Sequence, residues 1–457
     1  MNGLARPLAV AFALAWPLVV LSQGVVPIKS KTLENGLEII VVQNATIPFV
    51  TLDMVFRAGA FTQTTEDQLG LPHLIEHMLF RRGEGSQSFD DEAGKIEASW
   101  NGVTDTESVQ YYLTFPEKHL QKGMELLSNL IRKPTFNKQI LDAERPIVRG
   151  ELERRASEPS SLLRMESDMM LWDGPGFGTK NPGGNIVALT AATPERLNEL
   201  YKRFYVPNNA ALVVAGNVSE SVVFALADRV FRGWKRGPDP LATLTPPPIQ
   251  PLPQIKRKIT TGEVKDVTLM LRWHGPSVTK DPAATYAADV FAGLVNQPLS
   301  GTQKRLVDAG VVESVVFRYV TLKHVGPLEL IVRTTSDRAV AAIEAVGAEL
   351  AMLTRPDYFS DDDMVLAKKL QRVGAQFRLE SASATAFTLA DFWASAGMDY
   401  YVNYDRNMEA QTRADVDRFL ATYFKGKPMV VNVLVSSEAW GPIATAVQRA
   451  VGEWRAP

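Results

Sequence analysis

Two histidines and a glutamate stand at a spacing that suits metal chemistry. His73 and His77 flank Glu76 in the segment GLPHLIEHMLF, residues 70–80. On a helix that begins near Pro72, His73 and His77 lie one turn apart on one face, where two imidazoles can bind one metal ion. Glu76 lies on the same side and can take a proton from a zinc-bound water without being a ligand itself. This H-x-x-E-H order is the reverse of the zincin order H-E-x-x-H and supports the same chemistry.

The alternative is a solvated charged helix that carries two unrelated histidines. The chain has only five histidines in 457 residues, and two of them flank one glutamate at helical spacing, so we favour the metal site. The other three have no such motif around them and are expected to be structural or exposed: His119, His274 and His324.

A third zinc ligand must come from a carboxylate, because the chain has no cysteine. The segment AERPIVRGELERR, residues 143–155, supplies three glutamates. Glu144 and Glu151 are two helical turns apart and share a face, so Glu151 could be the ligand while Glu144 orients a ligand histidine. Spacing alone leaves Glu144 and Glu153 as competitors for the ligand position. Pro146 would kink a helix here, which keeps Glu153 as the alternative third ligand.

Composition excludes several other classes of function. Apolar residues make up 46% and charged residues 22% of the chain, which are ordinary globular values. The 49 basic and 51 acidic residues give no electrostatic footprint for nucleic acid. The lack of cysteine excludes a disulfide framework, a thiolate zinc site, an iron–sulfur site and a cysteine nucleophile. The length indicates two or three domains with a large core.

The N-terminal segment, residues 1–22, is typical of a secretory signal peptide. Arg6 precedes an apolar run of about 15 residues that is too short to span a bilayer comfortably. Pro17 inside that run argues against an uncleaved signal anchor. We therefore expect export across the inner membrane to the periplasm, with no stable membrane span after removal of the signal.

A proline-rich linker, residues 237–254, divides the chain into halves that look like copies of each other. In the first half, Thr193 caps a predicted helix that is followed by a strand and a second helix. Thr412 starts the same order of elements in the second half. Near the start of each half, VTLDMVF (residues 50–56) matches VTLMLRW (residues 267–273). Each half mixes strands with helices, which indicates two duplicated α+β domains at 27–236 and 255–457.

The chain resembles the inverted-zincin peptidase family M16, the family of pitrilysin, insulin-degrading enzyme and the mitochondrial processing peptidase. The resemblance covers nearly the whole mature chain. Four motifs in the family's order carry it: HLIEH at 73–77, NGVTDTESVQY at 101–111, ERPIVRGE at 144–151 and YVPNNAALVVAG at 205–216.

The resemblance implies roles for particular residues. Glu151 becomes the third ligand of one Zn²⁺ per chain, and Glu144 becomes its neighbour that orients a ligand. Asn101 and Gly102 become candidates for contacts with the peptide backbone. The competing interpretation of these two residues is a plain turn, because Asn-Gly is a strong turn dipeptide.

The resemblance also implies an architecture and a partner. It implies two homologous α+β domains, each a mostly antiparallel sheet packed with helices, which together form half of a clamshell. A second copy or a second M16-like subunit would complete a homodimer or heterodimer whose closed chamber admits peptides and unfolded segments. In the family, the peptide adds as a strand to the sheet edge beside the zinc.

The second half departs from the catalytic pattern. It has no H-x-x-E-H motif and no segment like R-G-L-x-Y that would supply an Arg and a Tyr to the reaction. We therefore expect a catalytic N-terminal domain, a non-catalytic C-terminal domain and a partner that supplies the missing groups.

The predicted function is a zinc metalloendopeptidase in which Glu76 activates the zinc-bound water. Two alternatives remain. One is a non-catalytic peptide-binding or assembly subunit of an M16-type heterodimer, and the other is a zinc-dependent hydrolase of non-peptide substrates.

Overall fold

The computed structural model describes residues 27–81, 88–172, 182–244 and 249–457. The predicted signal peptide, residues 1–22, lies outside the described residues. The described part of the predicted linker, 237–244 and 249–254, contains no helix or strand. No helix within the described ranges is both long and apolar enough to cross a membrane.

The first half contains a six-stranded mixed sheet. Its strands are β1 (Ile28–Thr32), β2 (Glu38–Gln43), β3 (Phe49–Phe56), β4 (Ser99–Thr104), β5 (Val109–Pro116) and β6 (Ala210–Gly216). They lie in the order β1-β2-β6-β3-β5-β4. β2 and β6 run parallel, and the other neighbours are antiparallel. β4 is therefore an edge strand.

The second half contains a five-stranded sheet with a matching order. Its strands are β7 (Lys256–Gly262), β8 (Asp266–His274), β9 (Ser314–Tyr319), β10 (Pro327–Thr335) and β11 (Val430–Ser436). Their order, β7-β11-β8-β10-β9, repeats β2-β6-β3-β5-β4, and β7 and β11 form the parallel pair. The two segments with matching sequences, 50–56 and 267–273, fall in the equivalent strands β3 and β8. This agrees with the predicted duplication and confirms the α+β fold of mostly antiparallel sheets.

Sixteen α-helices of the described residues surround the sheets. The first half has α1 (Leu71–Leu79), α2 (Phe89–Gly94), α3 (Leu120–Arg132), α4 (Lys138–Ser157), α5 (Pro159–Leu171), α6 (Ile186–Ala191), α7 (Pro194–Phe204) and α8 (Glu220–Phe231). The second half has α9 (Pro282–Asn296), α10 (Ala339–Leu353), α11 (Asp361–Arg378), α12 (Ala382–Ser395), α13 (Met398–Val402), α14 (Tyr404–Glu409), α15 (Arg413–Phe419) and α16 (Ser437–Glu453). Thr193 and Thr412 accept hydrogen bonds from the backbone at the starts of α7 and α15, which confirms both predicted helix caps.

The two halves exchange helices across their sheets. One face of the first sheet packs on helices of its own half, and the other face is covered by α12 from the second half. There, Leu389 and Trp393 of α12 are buried with Ile40 and Val213 of the sheet. In return, α5 from the first half lies on the second sheet, where Leu163 joins Met270 and Leu434 in a small apolar cluster.

Polar contacts fix the same interface. Arg164 of α5 pairs with buried Glu329 of β10 at 2.8 Å. Between β4 and β5, the buried Glu107 carboxylate accepts the backbone N–H of Lys323 at 2.9 and 3.0 Å. Because Glu107 and Glu329 are buried and each has a partner in the other half, the halves hold a defined position relative to each other.

A pair of buried acids also lies under α12. Gln110 of β5 donates a hydrogen bond of 2.5 Å to Asp391 of α12. Asp53 of β3 is 1% exposed, and neither of its carboxylate oxygens has a hydrogen-bond partner among the described residues. Burial raises the pKa of Asp53 well above its usual value, and the charge of Asp391 raises it further. Burial, with a smaller effect of Asp105, raises the pKa of Asp391 to about 7.

We expect Asp391→Asn to stabilise the protein at alkaline pH. A carboxyl whose pKa is higher in the folded than in the unfolded state loses stability as pH rises, here from about 4 to about 7. The amide keeps an acceptor for Gln110 but cannot ionise. The free energy of unfolding should therefore exceed that of the wild type by about 1–3 kcal/mol near pH 8 and by little near pH 4.

Urea denaturation at both pH values measures this difference. Asp308→Asn, at an exposed position, is the matched control and should give equal small effects at both. An Asp391→Asn variant with the same difference from wild type at both pH values would contradict the expectation.

Candidate metal centre

Helix α1 presents the H-x-x-E-H residues to one side and its apolar residues to the core. Gly70 precedes the helix in a left-handed conformation (φ 82°), and Pro72 lies in its first turn. Leu71, Leu74, Ile75, Met78 and Leu79 are buried in the core of the first half. This spacing of three and four residues turns the remaining face towards strand β4 and helix α4.

The predicted histidines and glutamate come together as expected. Ligand atoms of His73, Glu76 and His77 lie within 4.8 Å of one another, and this is the one such group among the described residues. The two imidazole rings meet edge to face with centroids 4.8 Å apart. His73 is 5% and Glu76 7% exposed. The arrangement can hold a metal ion.

Glu151 of α4 faces the two histidines. Its Oε2 atom lies 3.3 Å from His77 Nε2 and 3.6 Å from His73 Nε2. Bonds of about 2.0–2.2 Å to a tetrahedral zinc place neighbouring ligand atoms about 3.3–3.5 Å apart. The spacing of these three atoms therefore fits one zinc ion, with Glu151 between the imidazoles. The Glu76 carboxylate is held instead by a hydrogen bond from Thr104 of β4.

Helix α4 brings Glu151 to the two histidines in spite of its internal proline. α4 runs unbroken from Lys138 to Ser157 with Pro146 inside it, so the expected kink does not redirect the acidic residues. Leu141, Glu144, Val148 and Leu152 form its buried face. Glu153 lies outside the cluster, where it is exposed and pairs with Arg149 at 2.8 Å.

Glu144 contacts the histidine side of the centre. His77 Nδ1 lies 3.0 Å from Glu144 Oε1, and Arg81 Nε–H donates to Glu144 Oε2 at 2.6 Å. A proton on His77 Nδ1 shared with Glu144 would leave the lone pair of Nε2 available to a metal. Glu144 is 2% exposed, so the imidazole and the guanidinium offset the cost of burying its charge.

Arg155 plays a similar part for Glu151. It lies one turn further along α4, and its Nη2 atom is 2.5 Å from Glu151 Oε1. That ion pair occupies one carboxylate oxygen and leaves Oε2 for the two imidazoles. A bare carboxylate could rotate, so the pair restricts its orientation.

Strand β4 borders Glu76. Thr104 donates a hydrogen bond of 2.7 Å to Glu76 Oε2. A Cβ atom added to Gly102 would lie 2.7 Å from Glu76 Cγ and 2.8 Å from Oε1. Asn101 and Gly102 are paired with Tyr112 and Tyr111 in the sheet. The alternative that Asn-Gly forms a plain turn is therefore wrong, because cross-strand pairing overrides the local preference of the dipeptide.

The pKa values differ sharply within the cluster. Burial, aided by the nearby His77, lowers the pKa of His73 to about 4 and keeps this imidazole neutral. Burial also opposes charge on His77, but hydrogen bonds to Glu144 and Glu151 outweigh it and raise its pKa to about 9. The hydrogen bond from His77 lowers the pKa of Glu151 to about 2. The two negative carboxylates that favour a proton on His77 would equally attract a divalent cation.

The pKa of Glu76 is shifted in the opposite direction from that of Glu151. Burial raises its pKa above the usual value, although the hydrogen bond from Thr104 works against that rise. A carboxylate with a raised pKa is a better proton acceptor near neutral pH. Glu151 therefore suits a ligand, and Glu76 suits a general base.

The sequence-based predictions did not include three residues that contact the centre. Arg155 is four residues after Glu151, and an acid–base pair at that helical spacing was a usable signal. Thr104 follows Gly102 by two residues and shares its face of the strand, but nothing local pointed it at Glu76. Arg81 lies just beyond the end of α1, where no pattern marked it as a partner of Glu144.

The second half has no equivalent cluster among its described residues. α9 occupies the position of α1 beside the second sheet, where it presents Tyr286 and Asp289 and no histidine.

Both parts of the chain match models of one protein family. Residues 38–174 match the family described as insulinase (peptidase family M16), and residues 191–370 match the peptidase M16 inactive domain. The zinc protease PqqE of Helicobacter pylori is 23% identical over 410 residues, which cover 87% of this chain and 90% of that protein. An uncharacterized zinc protease of Rickettsia felis is 22% identical over 207 residues, 45% of this chain and 50% of the relative. In the alignments with the first of the curated relatives, the chain spans about half of their length.

The fold has solved counterparts. The crystal structure of the periplasmic protease PqqL from Escherichia coli superposes with a TM-score of 0.75 at 18% identity, covering 93% of this chain and 50% of that one. The likeness confirms the two-domain fold predicted for one half of a clamshell. With both family models of M16 matched in order along the chain, at residues 38–174 and 191–370, the chain belongs to the M16 peptidase family.

Proposed function

We propose that the chain is a zinc metalloendopeptidase that hydrolyses peptides or unfolded segments. The observation that carries this proposal is the position of Glu151 Oε2, 3.3 and 3.6 Å from the Nε2 atoms of His77 and His73. His73, His77 and Glu151 would hold one Zn²⁺ per chain, and Glu144 would orient His77. The domains are assigned as a catalytic one at 27–236 and a non-catalytic one at 255–457, joined by the linker at 237–254.

Zinc, when bound, would supply a Lewis acid for the scissile carbonyl and lower the pKa of the attacking water. Glu76 lies on the same helix face as the ligand histidines and is buried. It accepts a proton from the attacking water on a carboxylate oxygen and then delivers it to the nitrogen of the leaving amine. The raised pKa of Glu76 suits both transfers, because the carboxylate is basic enough to take the proton and acidic enough to release it.

The edge of the first sheet supports a peptide as the substrate. β4 lies at the end of the strand order, and its outer side has no neighbouring strand among the described residues. An extended peptide could pair with β4 along Asn101 and Gly102. Since Gly102 also touches Glu76, such a peptide would run beside the proposed general base. A folded substrate has no free strand to offer.

A second chain and an exported location are part of the proposal. The chain aligns with half of the structure of PqqL, a periplasmic protease of Escherichia coli. A second copy or another M16-like subunit would supply the other half of a chamber. The predicted signal peptide, residues 1–22, is consistent with the same compartment.

A non-catalytic peptide-binding or assembly subunit is the second candidate. The match of residues 191–370 to the inactive domain favours it, and homologous subunits of that kind share the fold. The complete cluster in the first half favours the peptidase.

The decisive experiment is hydrolysis of a quenched mixed-peptide library by the purified zinc-loaded chain. Glu76→Gln should retain one zinc per chain and lower kcat by about 10²- to 10⁴-fold, because the amide cannot accept the proton. His73→Ala should lose the metal itself. Near-normal hydrolysis by Glu76→Gln would disprove the assigned base. Tight peptide binding without product, in the wild type with or without an added partner, would favour the second candidate.

The third ligand is tested by metal content. Glu151→Gln should lose most of its zinc during dialysis against a weak chelator, since a neutral amide replaces a charged ligand between two imidazoles. Glu153→Gln is the matched control on the same helix and should keep its zinc. Equal zinc retention by the two variants would exclude Glu151 as a ligand, and zinc loss only in Glu153→Gln would reverse the assignment.

Glu144→Gln should weaken zinc binding by about 10- to 100-fold without removing the site. The amide no longer favours the proton on His77 Nδ1, so the ligand histidine is less basic and less well oriented. Competition titration with a coloured chelator measures the affinity. A zinc affinity equal to that of the wild type would show that Glu144 does not act through His77.

A further inference from the structure

We infer that Thr104 is a positioning residue that holds the carboxylate of Glu76 in place for proton transfer. The inference rests on the proposed function, because it assigns a helper to the proposed general base. Its structural basis is the hydrogen bond of 2.7 Å from the Thr104 hydroxyl to Glu76 Oε2. No other side chain among the described residues hydrogen-bonds to Glu76.

The contact depends on the alternation of side chains between the two faces of β4. Successive side chains of a strand point to opposite faces, so Gly102 and Thr104 share the face that meets α1. At Gly102 the missing side chain lets Glu76 lie against the strand, where an added Cβ would come within 2.9 Å of three Glu76 atoms. At Thr104 the hydroxyl then reaches one carboxylate oxygen. Gly102 thus leaves space for Glu76, and Thr104 donates the hydrogen bond to it.

This arrangement divides the two oxygens of Glu76 between two tasks. Oε2 accepts the hydroxyl proton of Thr104, while Oε1 lies over Gly102 and accepts no side-chain hydrogen bond from the described residues. Oε1 is thus the oxygen left for the attacking water. A β-branched threonine has a restricted side-chain rotamer, which fixes the direction of its hydroxyl. Without that bond the carboxylate could rotate about its terminal torsion, which has a broad energy minimum.

Burial of Glu76 makes its hydrogen bond from Thr104 important for the orientation of the carboxylate. Glu76 is 7% exposed, so water can replace little of a lost hydrogen bond. The hydroxyl of Thr104 holds the carboxylate towards β4. Loss of the hydroxyl should therefore let Glu76 move from its position for catalysis without removing a zinc ligand.

Three variants test the role in the zinc-loaded chain. Thr104→Val removes the hydroxyl and keeps the branched shape, and Thr104→Ser restores a hydroxyl on a smaller side chain. Thr114→Val is the matched control, because the hydroxyl of Thr114 bonds that of Thr51 at 2.9 Å in the same sheet. Thr104→Val should lower kcat by about 10- to 100-fold with KM nearly unchanged and one zinc per chain retained. Thr104→Ser should recover most of the loss, and Thr114→Val should behave as the wild type.

Wild-type kcat in Thr104→Val would overturn the inference. So would a Thr104→Ser variant as impaired as Thr104→Val, because the hydroxyl would then not be the active feature.

A second measurement does not depend on hydrolysis. Thr104→Val is introduced into the wild type and into Glu76→Met, and urea midpoints are compared after zinc has been removed by a chelator. In the wild-type background the substitution leaves a buried carboxylate unpaired, so the midpoint should fall. With Met at position 76 there is no carboxylate to pair, and the fall should be smaller.

Equal shifts in both backgrounds would reduce Thr104 to a general structural residue and overturn the inference. If the wild type hydrolyses no peptide with or without an added partner, the proposed function fails, while the midpoints still decide whether Thr104 and Glu76 act as a pair. The two failures are therefore distinguishable.

Discussion

The contact of α1 with strand β4 on one side and helix α4 on the other is the constraint on which the centre depends. α1 carries both imidazoles and Glu76, yet none of the three is oriented by α1 alone. Glu144 and Glu151 of α4 meet the imidazoles, and Thr104 of β4 meets Glu76. The apolar residues of α1 fix its depth in the core, so the polar face has one position relative to both neighbours.

Burial gives these polar groups their distinct properties and also makes them costly. Two carboxylates and two imidazoles occupy a small, partly dry volume, where unpaired charges would oppose folding. Two arginines at the edge of the cluster offset this cost. Arg81 pairs with Glu144 and Arg155 with Glu151, and both guanidiniums remain partly exposed. The acids are thereby kept ionised, while their free oxygens still face the histidines.

Local patterns in the sequence were enough to predict much of this chain. The H-x-x-E-H segment lies on a helix, Thr193 and Thr412 cap helices, and the matched segments form equivalent strands, because each depends on residues close together in sequence. Contacts between distant segments were beyond that information. The approach of Thr104 to Glu76, and the exchange of α5 and α12, arise only from packing. α4 continues through Pro146. Asn101 and Gly102 pair in the sheet and do not form a turn, because cross-strand contacts outweigh the local preference of the dipeptide.

The exchange of helices also determines how the chain can be built. A ribosome releases the first sheet once β6 has been made, but the helix that covers its second face ends at Ser395, far into the second half. Until then Ile40, Val213 and their neighbours present an uncovered apolar surface to whatever surrounds the nascent chain. The first half therefore cannot bury this surface until the second half has been synthesised. During that time a chaperone could bind the exposed apolar surface. The two halves share one strand order, but each half completes the other.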